Sequence, residues 1–114
     1  MRQRSNMLRM TQTEANMLYA IHFHDNTDAV PNIQPRFMQQ HLAFLSENKA
    51  VIRDAGPLKE RDGVVKSGLW LVDVETADQA WELVKADPFW PTELRDQVVI
   101  KQRSQVLADR QACV

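Results

Sequence analysis

Between Met17 and Arg103 the apolar residues change pattern along the chain. Runs of β-forming residues, alternating in the first strand and nearly continuous in the third, are interrupted by two stretches whose apolar residues recur about every 3.6 residues. That succession reads as β-α-β-β-α-β, which leaves few folds open. Met17 to His24 (MLYAIHFH) is short and rich in β-formers, with Met17, Tyr19, Ile21 and Phe23 on one face and Leu18, Ala20, His22 and His24 on the other. Asp25-Asn26 ends it with turn chemistry. Pro31 and Pro35 bracket a loop, and a helix is expected from Arg36 to Asn48. Its apolar stripe is Phe37, Met38, His41, Leu42, Phe44 and Leu45, so a histidine sits in an oily face.

Ala50 to Asp54 predicts a second, short strand closed by Gly56-Pro57, and residues 58–66 a hairpin-like connection. Gly68 to Val74 is nearly continuously apolar, as a central strand would be. Thr76 and Gln79, three apart, form a capping box at the start of helix two. Ala77, Ala80, Trp81 and Val84 follow at the spacing of a buried face. Asp87-Pro88 stops the helix, because proline disfavours helical geometry at the residue before it. Phe89-Trp90-Pro91 reads as an exposed aromatic loop, and Gln97 to Arg103 as the last strand.

Two β-α halves in this order predict an α+β, ferredoxin-like βαββαβ sandwich, a four-stranded antiparallel sheet with two helices on one face. Residues 17–104 form the expected domain, residues 1–16 a flexible N-terminal tail and residues 105–114 a polar C-terminal tail. The other face of the sheet has no helix to cover it, and a core of this size is marginal alone. A second copy on the bare face is the simplest remedy, so a homodimer is expected.

Charge narrows the function. The net charge is −1 and no basic stripe appears, so no nucleic-acid partner is expected. No apolar run approaches the roughly 20 residues that span a bilayer, so no membrane partner is expected either. The lone Cys113 cannot form an internal disulfide. With no apolar signal core near the N-terminus, the expected location is cytoplasmic. Only Gly56, Gly63 and Gly68 are glycines, and they fit no phosphate or dinucleotide fingerprint. No cofactor is expected.

An imidazole titrates near neutral pH and can take and return a proton. A carboxylate beside it holds its tautomer and stabilises the imidazolium. His41 with Asp25 or Asp87 is therefore the candidate acid/base pair. Each also has a plainer role: His41 as a packed residue, Asp87 as a helix stop and Asp25 as a turn residue. His22 and His24 share a strand face and, with His41, would offer three imidazoles to a metal. The same pair could be only a partly exposed strand face. On the inner face of a dimer, His22 would instead line a substrate cleft. Phe89 and Trp90, next to Asp87, would wall a planar ligand.

Four segments resemble the YCII-related family: Tyr19 to Asp25, His41 to Leu45, Ala55 to Leu58, and Asp87-Pro88-Phe89. The resemblance implies a dimeric α+β barrel and a His–Asp site, with His41 the helix histidine, Asp87 the aspartate before proline, and Asp25 a further recurrent acid. It also implies Gly56 and Pro57 beside a small organic substrate. The family often carries an arginine three residues before the helix histidine. Met38 stands there, and Arg36, the nearest arginine though on a different helical face, is the arginine expected to contact substrate. The function implied is a small-molecule enzyme, lyase, isomerase or dehydrochlorinase-like. The alternatives are a non-catalytic binding or partner-association module, and a metal-binding protein through His22, His24 and His41.

Overall fold

Strict alternation along the first strand decides where everything else packs. In a computed structural model describing residues 17–104 and the backbone of 107–108 and 111–112, β1 spans Met17–Asp25. Tyr19, Ile21 and Phe23 are buried at 9, 0 and 1% exposure, while Leu18, Ala20, His22 and His24 point to the opposite face and are half-buried or exposed. β2 (Ile52–Lys59), β3 (Val65–Val74) and β4 (Arg95–Arg103) complete one antiparallel sheet in the order β2-β3-β1-β4. The helices α1 (Pro35–Glu47) and α2 (Ala77–Ala86) lie on the Ile21 side. This is the ferredoxin-like α+β sandwich that the order of elements predicts.

β3 is central, in line with its apolar run. β2 is longer than expected and runs straight through Gly56-Pro57. It lies at the sheet edge, where a proline need not donate to a neighbour. The β2–β3 turn closes with Gly63 at a φ of 86°, where its N–H donates to the Glu60 carbonyl at 2.8 Å.

α2 is capped as the sequence predicts. The Thr76 hydroxyl accepts from the Gln79 N–H at 3.2 Å, and the Gln79 side chain accepts from the Glu75 N–H at 2.8 Å. Its buried face is Ala80 and Val84; Ala77, expected there, is exposed at the first position of the helix. These two small residues join Ile21, Val72 and Ile52 in the core. The expected polar tail holds two short strands, Leu107–Ala108 and Gln111–Ala112, paired antiparallel. The N-terminal tail, residues 1–16, lies outside the described residues. Among the described residues, no helix is long and apolar enough to cross a membrane.

Candidate active site

His41 is the only residue of α1 that is buried. Its Nδ1 lies 2.8 Å from Oδ1 of Asp87. The imidazole stacks on Phe89, with ring centroids 4.5 Å apart and planes at 26°, and Trp70 lies beyond at 6.3 Å. Stacked rings leave the imidazole little rotational freedom, so the carboxylate meets one fixed edge.

Asp87 owes its pose to the proline after it. Pro88 drives Asp87 to an extended backbone (φ −65°, ψ 133°), and α2 ends there. The carboxylate turns back into the protein, where its Oδ1 also accepts from the Phe89 N–H at 3.3 Å. Its own carbonyl accepts from the Trp90 N–H at 2.8 Å, tightening the loop. Only 2% of the residue is exposed. Helix stop and site are thus one device.

Asp25 does not reach His41's hydrogen-bonded edge; it binds Arg95, whose Nη1 donates to its Oδ1 at 3.0 Å. Nη2 of the same guanidinium lies 3.8 Å from Oδ2 of Asp87. The guanidinium carbon sits 4.3 Å from the Phe23 ring centre and 5.5 Å from that of Phe89. Asp25, Arg95, Asp87 and His41 therefore form one charged row. Sequence reasoning missed Arg95, and the reason is a β-bulge. Val98 and Ile100 face the core, so simple alternation would send Arg95 to the opposite face. The pairing shifts by one residue between His24 and Asp25, which places Arg95 opposite Asp25 on the helix side. The Asn26 N–H donates to the Leu94 carbonyl at 2.7 Å and clamps that register. An arginine just upstream of a valine-rich strand was the available signal.

His41, Arg95 and Asp25 line a cavity of about 370 Å³ between α1 and the sheet, while Asp87 bonds to His41 from outside that lining. Phe23, Trp70, Phe89 and Leu45 supply much of its apolar wall, with Gly56 and Pro57 on the β2 side. A Cβ added at Gly68 would stand 3.2 Å from the Gly56 carbonyl, so the close β2–β3 approach at this wall needs a residue without one. Met38 and Leu42 line the same cavity although they are about half exposed.

Two expected contacts, those of Trp90 and Arg36, lie elsewhere. Trp90 is exposed and packs edge-on against Trp81 at 6.2 Å, because the Asp87–Trp90 turn rotates it away from Phe89. Phe89, expected in an exposed loop, is buried by that same turn. Arg36 is exposed beside Phe37, on the flank of α1 that points away from the cavity. His22 is half-buried on the bare face, with its ring 4.6 Å from that of His24. The sheet stands between these two and His41, so the three-histidine metal site does not form. Among the described residues, no group of three or more metal-ligating side chains occurs.

Comparison with known proteins adds the lineage. Residues 17–104 match the YCII-related domain. The chain belongs to the YCII-related domain family. No curated protein matches it. Among solved structures, the YCII-related domain is similar to 5-chloro-2-hydroxyhydroquinone dehydrochlorinase (TftG) from Burkholderia phenoliruptrix AC1100, in complex with 2,5-dihydroxybenzoquinone. The TM-score is 0.66 and the identity 22%, over 78% of this chain and 95% of that one. Rv0793 from Mycobacterium tuberculosis is more distant, with a TM-score of 0.47 and 12% identity over 82% of this chain and 98% of that one. The first likeness shows a shared fold.

Proposed function

We propose that this YCII-related domain is a cofactor-independent enzyme in which His41, oriented by Asp87, moves a proton on a small planar organic molecule. The observation that carries the reading is the 2.8 Å contact between a buried Asp87 oxygen and Nδ1 of His41, whose ring lines a largely apolar cavity. A carboxylate at Nδ1 selects the tautomer that carries its proton there. Nε2 then keeps a lone pair as the general base. The carboxylate stabilises the imidazolium once the proton has moved, and His41 returns that proton to product or water. Where the substrate carries a halide, the electron pair left behind expels it with its own pair, giving lyase chemistry. Where it does not, the proton returns at another atom, giving isomerisation.

A volume of about 370 Å³ suits a single ring with a few substituents. The dehydrochlorinase of the same fold holds one such ring, 2,5-dihydroxybenzoquinone. On this reading Phe89, Gly56 and Pro57 contact the ring, whereas Arg36 and Trp90 have no part in binding. The bare sheet face carries Leu18, Ala20, His22, Leu69, Leu71 and Val99, and a second copy of the chain covers it. Sedimentation that returns a monomer at micromolar concentration would remove the dimer. A reducing cytoplasm suits the single Cys113.

The test is chloride release from 5-chloro-2-hydroxyhydroquinone. His41→Gln lowers kcat about 10²- to 10⁴-fold with the circular dichroism spectrum unchanged. A protein that binds the ring but releases no chloride, and catalyses no solvent-deuterium exchange into it, is the binding module instead.

A further inference from the structure

We propose that Arg95 and Asp25 make the cavity selective for an uncharged, oxygen-bearing ring over its carboxylate analogue. The inference rests on the acid/base reading of His41 and names the substrate class of that site. Arg95 is nine-tenths buried, with 10% of its side chain exposed, and it lines the cavity. Its hydrogen bonding is incomplete. Nη1 is taken by Asp25 at 3.0 Å, Nη2 stands 3.8 Å from Asp87, and Nε is buried without a partner. Nε is sealed from the cavity, so it is Nη2, beyond hydrogen-bond reach of Asp87, that an acceptor oxygen on a ligand would satisfy. The Phe23 and Phe89 rings beside the guanidinium hold its plane, so the donors stay aimed as the cavity fills.

Charge decides which oxygen is accepted. Asp25 and Asp87 contribute two negative charges and Arg95 one positive charge. With the His41 ring neutral, the row sums to −1. A ligand that arrives as an anion adds a second negative charge beside a largely apolar wall, where like charges repel more strongly than in open water. A ligand that arrives as a neutral weak acid adds none. Its O–H or C–H proton passes to His41 Nε2 and the electron pair stays on the ligand. The row becomes neutral, the ligand becomes −1, and the total is unchanged. Arg95 then faces an oxygen whose negative charge is growing, where a charge-assisted hydrogen bond is strongest. Asp25 is a specificity residue on this account. It cancels the arginine that would otherwise draw in carboxylates.

Two near-isosteric probes test this by titration calorimetry: 4-hydroxybenzamide, which is neutral, and 4-hydroxybenzoate, which is an anion. The wild-type protein binds the amide at least about tenfold more tightly than the carboxylate. Asp25→Asn narrows or inverts that ratio. Arg95→Met weakens the amide about 10- to 100-fold. Arg95→Lys, which keeps the charge without the fork, recovers part of the loss and serves if the methionine variant fails to fold. Equal or tighter binding of the carboxylate by wild type overturns the proposal, as does binding of neither probe up to millimolar concentration. The two readings fail separately. A His41→Gln variant that keeps the amide preference, in a protein with no turnover, sinks the acid/base reading alone. A His41-dependent enzyme that prefers the anion sinks the selectivity alone.

Discussion

The two helices lie on the same face of the same sheet and do opposite things. α2 settles close on β1, β3 and β4, because it turns Ala80 and Val84 toward them. Small side chains let the helix backbone approach until no space is left. α1 presents Phe44, Leu45 and His41 instead and stands off. Large side chains reach the core while the backbone stays distant, and the gap is the cavity. Both helices are amphipathic, so amphipathicity alone does not separate a helix that seals a core from one that roofs a site. Side-chain volume at the buried positions does, Ala80 and Val84 on α2 against His41 on α1, while Trp81 and Leu83 pack along the margin of α2.

Substitutions can break or sharpen this contrast. The largest effect is expected at Val84, which is 1% exposed under α2. Val84→Asp buries an unpaired charge, at a cost comparable with the roughly 5–15 kcal/mol that hold a domain folded. Its urea denaturation should show no cooperative transition. Asp87→Ala comes next, because it strands His41 and Arg95 without their carboxylate. The expected loss is roughly 3–5 kcal/mol, with a smaller loss in Asp87→Asn, read from the same denaturation midpoints. Ala80→Leu asks whether α2 can be turned into a stand-off helix. Its overpacking should cost about 1–3 kcal/mol, and no loss would mean that small size at the sheet is not what seats α2.

The caps give a finer version of the comparison. α2 starts at Thr76 with a side-chain bond, whereas α1 starts at Gln34 without one. Thr76→Ala should lower stability by about 1 kcal/mol, and Gln34→Ser should raise it by up to about the same amount, both seen as shifts in Tm. The smallest stability change is expected at Leu42, which is 56% exposed on α1 yet lines the cavity. Leu42→Asp should move stability by no more than about 0.5 kcal/mol while weakening 4-hydroxybenzamide binding. A large destabilisation there would mean that α1 is seated as firmly as α2.

Much of this was legible in one dimension. Alternation along Met17–Asp25 assigns Tyr19, Ile21 and Phe23 to the core, and three-residue spacing at Thr76 and Gln79 marks where α2 begins. His41 was visible as a polar residue in an apolar stripe, and Asp87 as the residue a proline forces out of the helix. These are local rules, each set by a few neighbouring torsions. The choice between Asp25 and Asp87 as His41's partner was not local, since the contact with Asp87 spans 46 residues.

Sequence by itself determined the order of elements, the face that the regular strand residues take, and the points at which helices start and stop, because backbone geometry repeats with a known period. Tertiary structure alone decided which side chains meet. One extra residue in the β1–β4 pairing brought Arg95 to the helix side of the sheet, against the alternation of its own strand. The thickness of the sheet kept His22 and His24 from His41. A bulge depends on how two distant strands align, and no spacing within either strand records it.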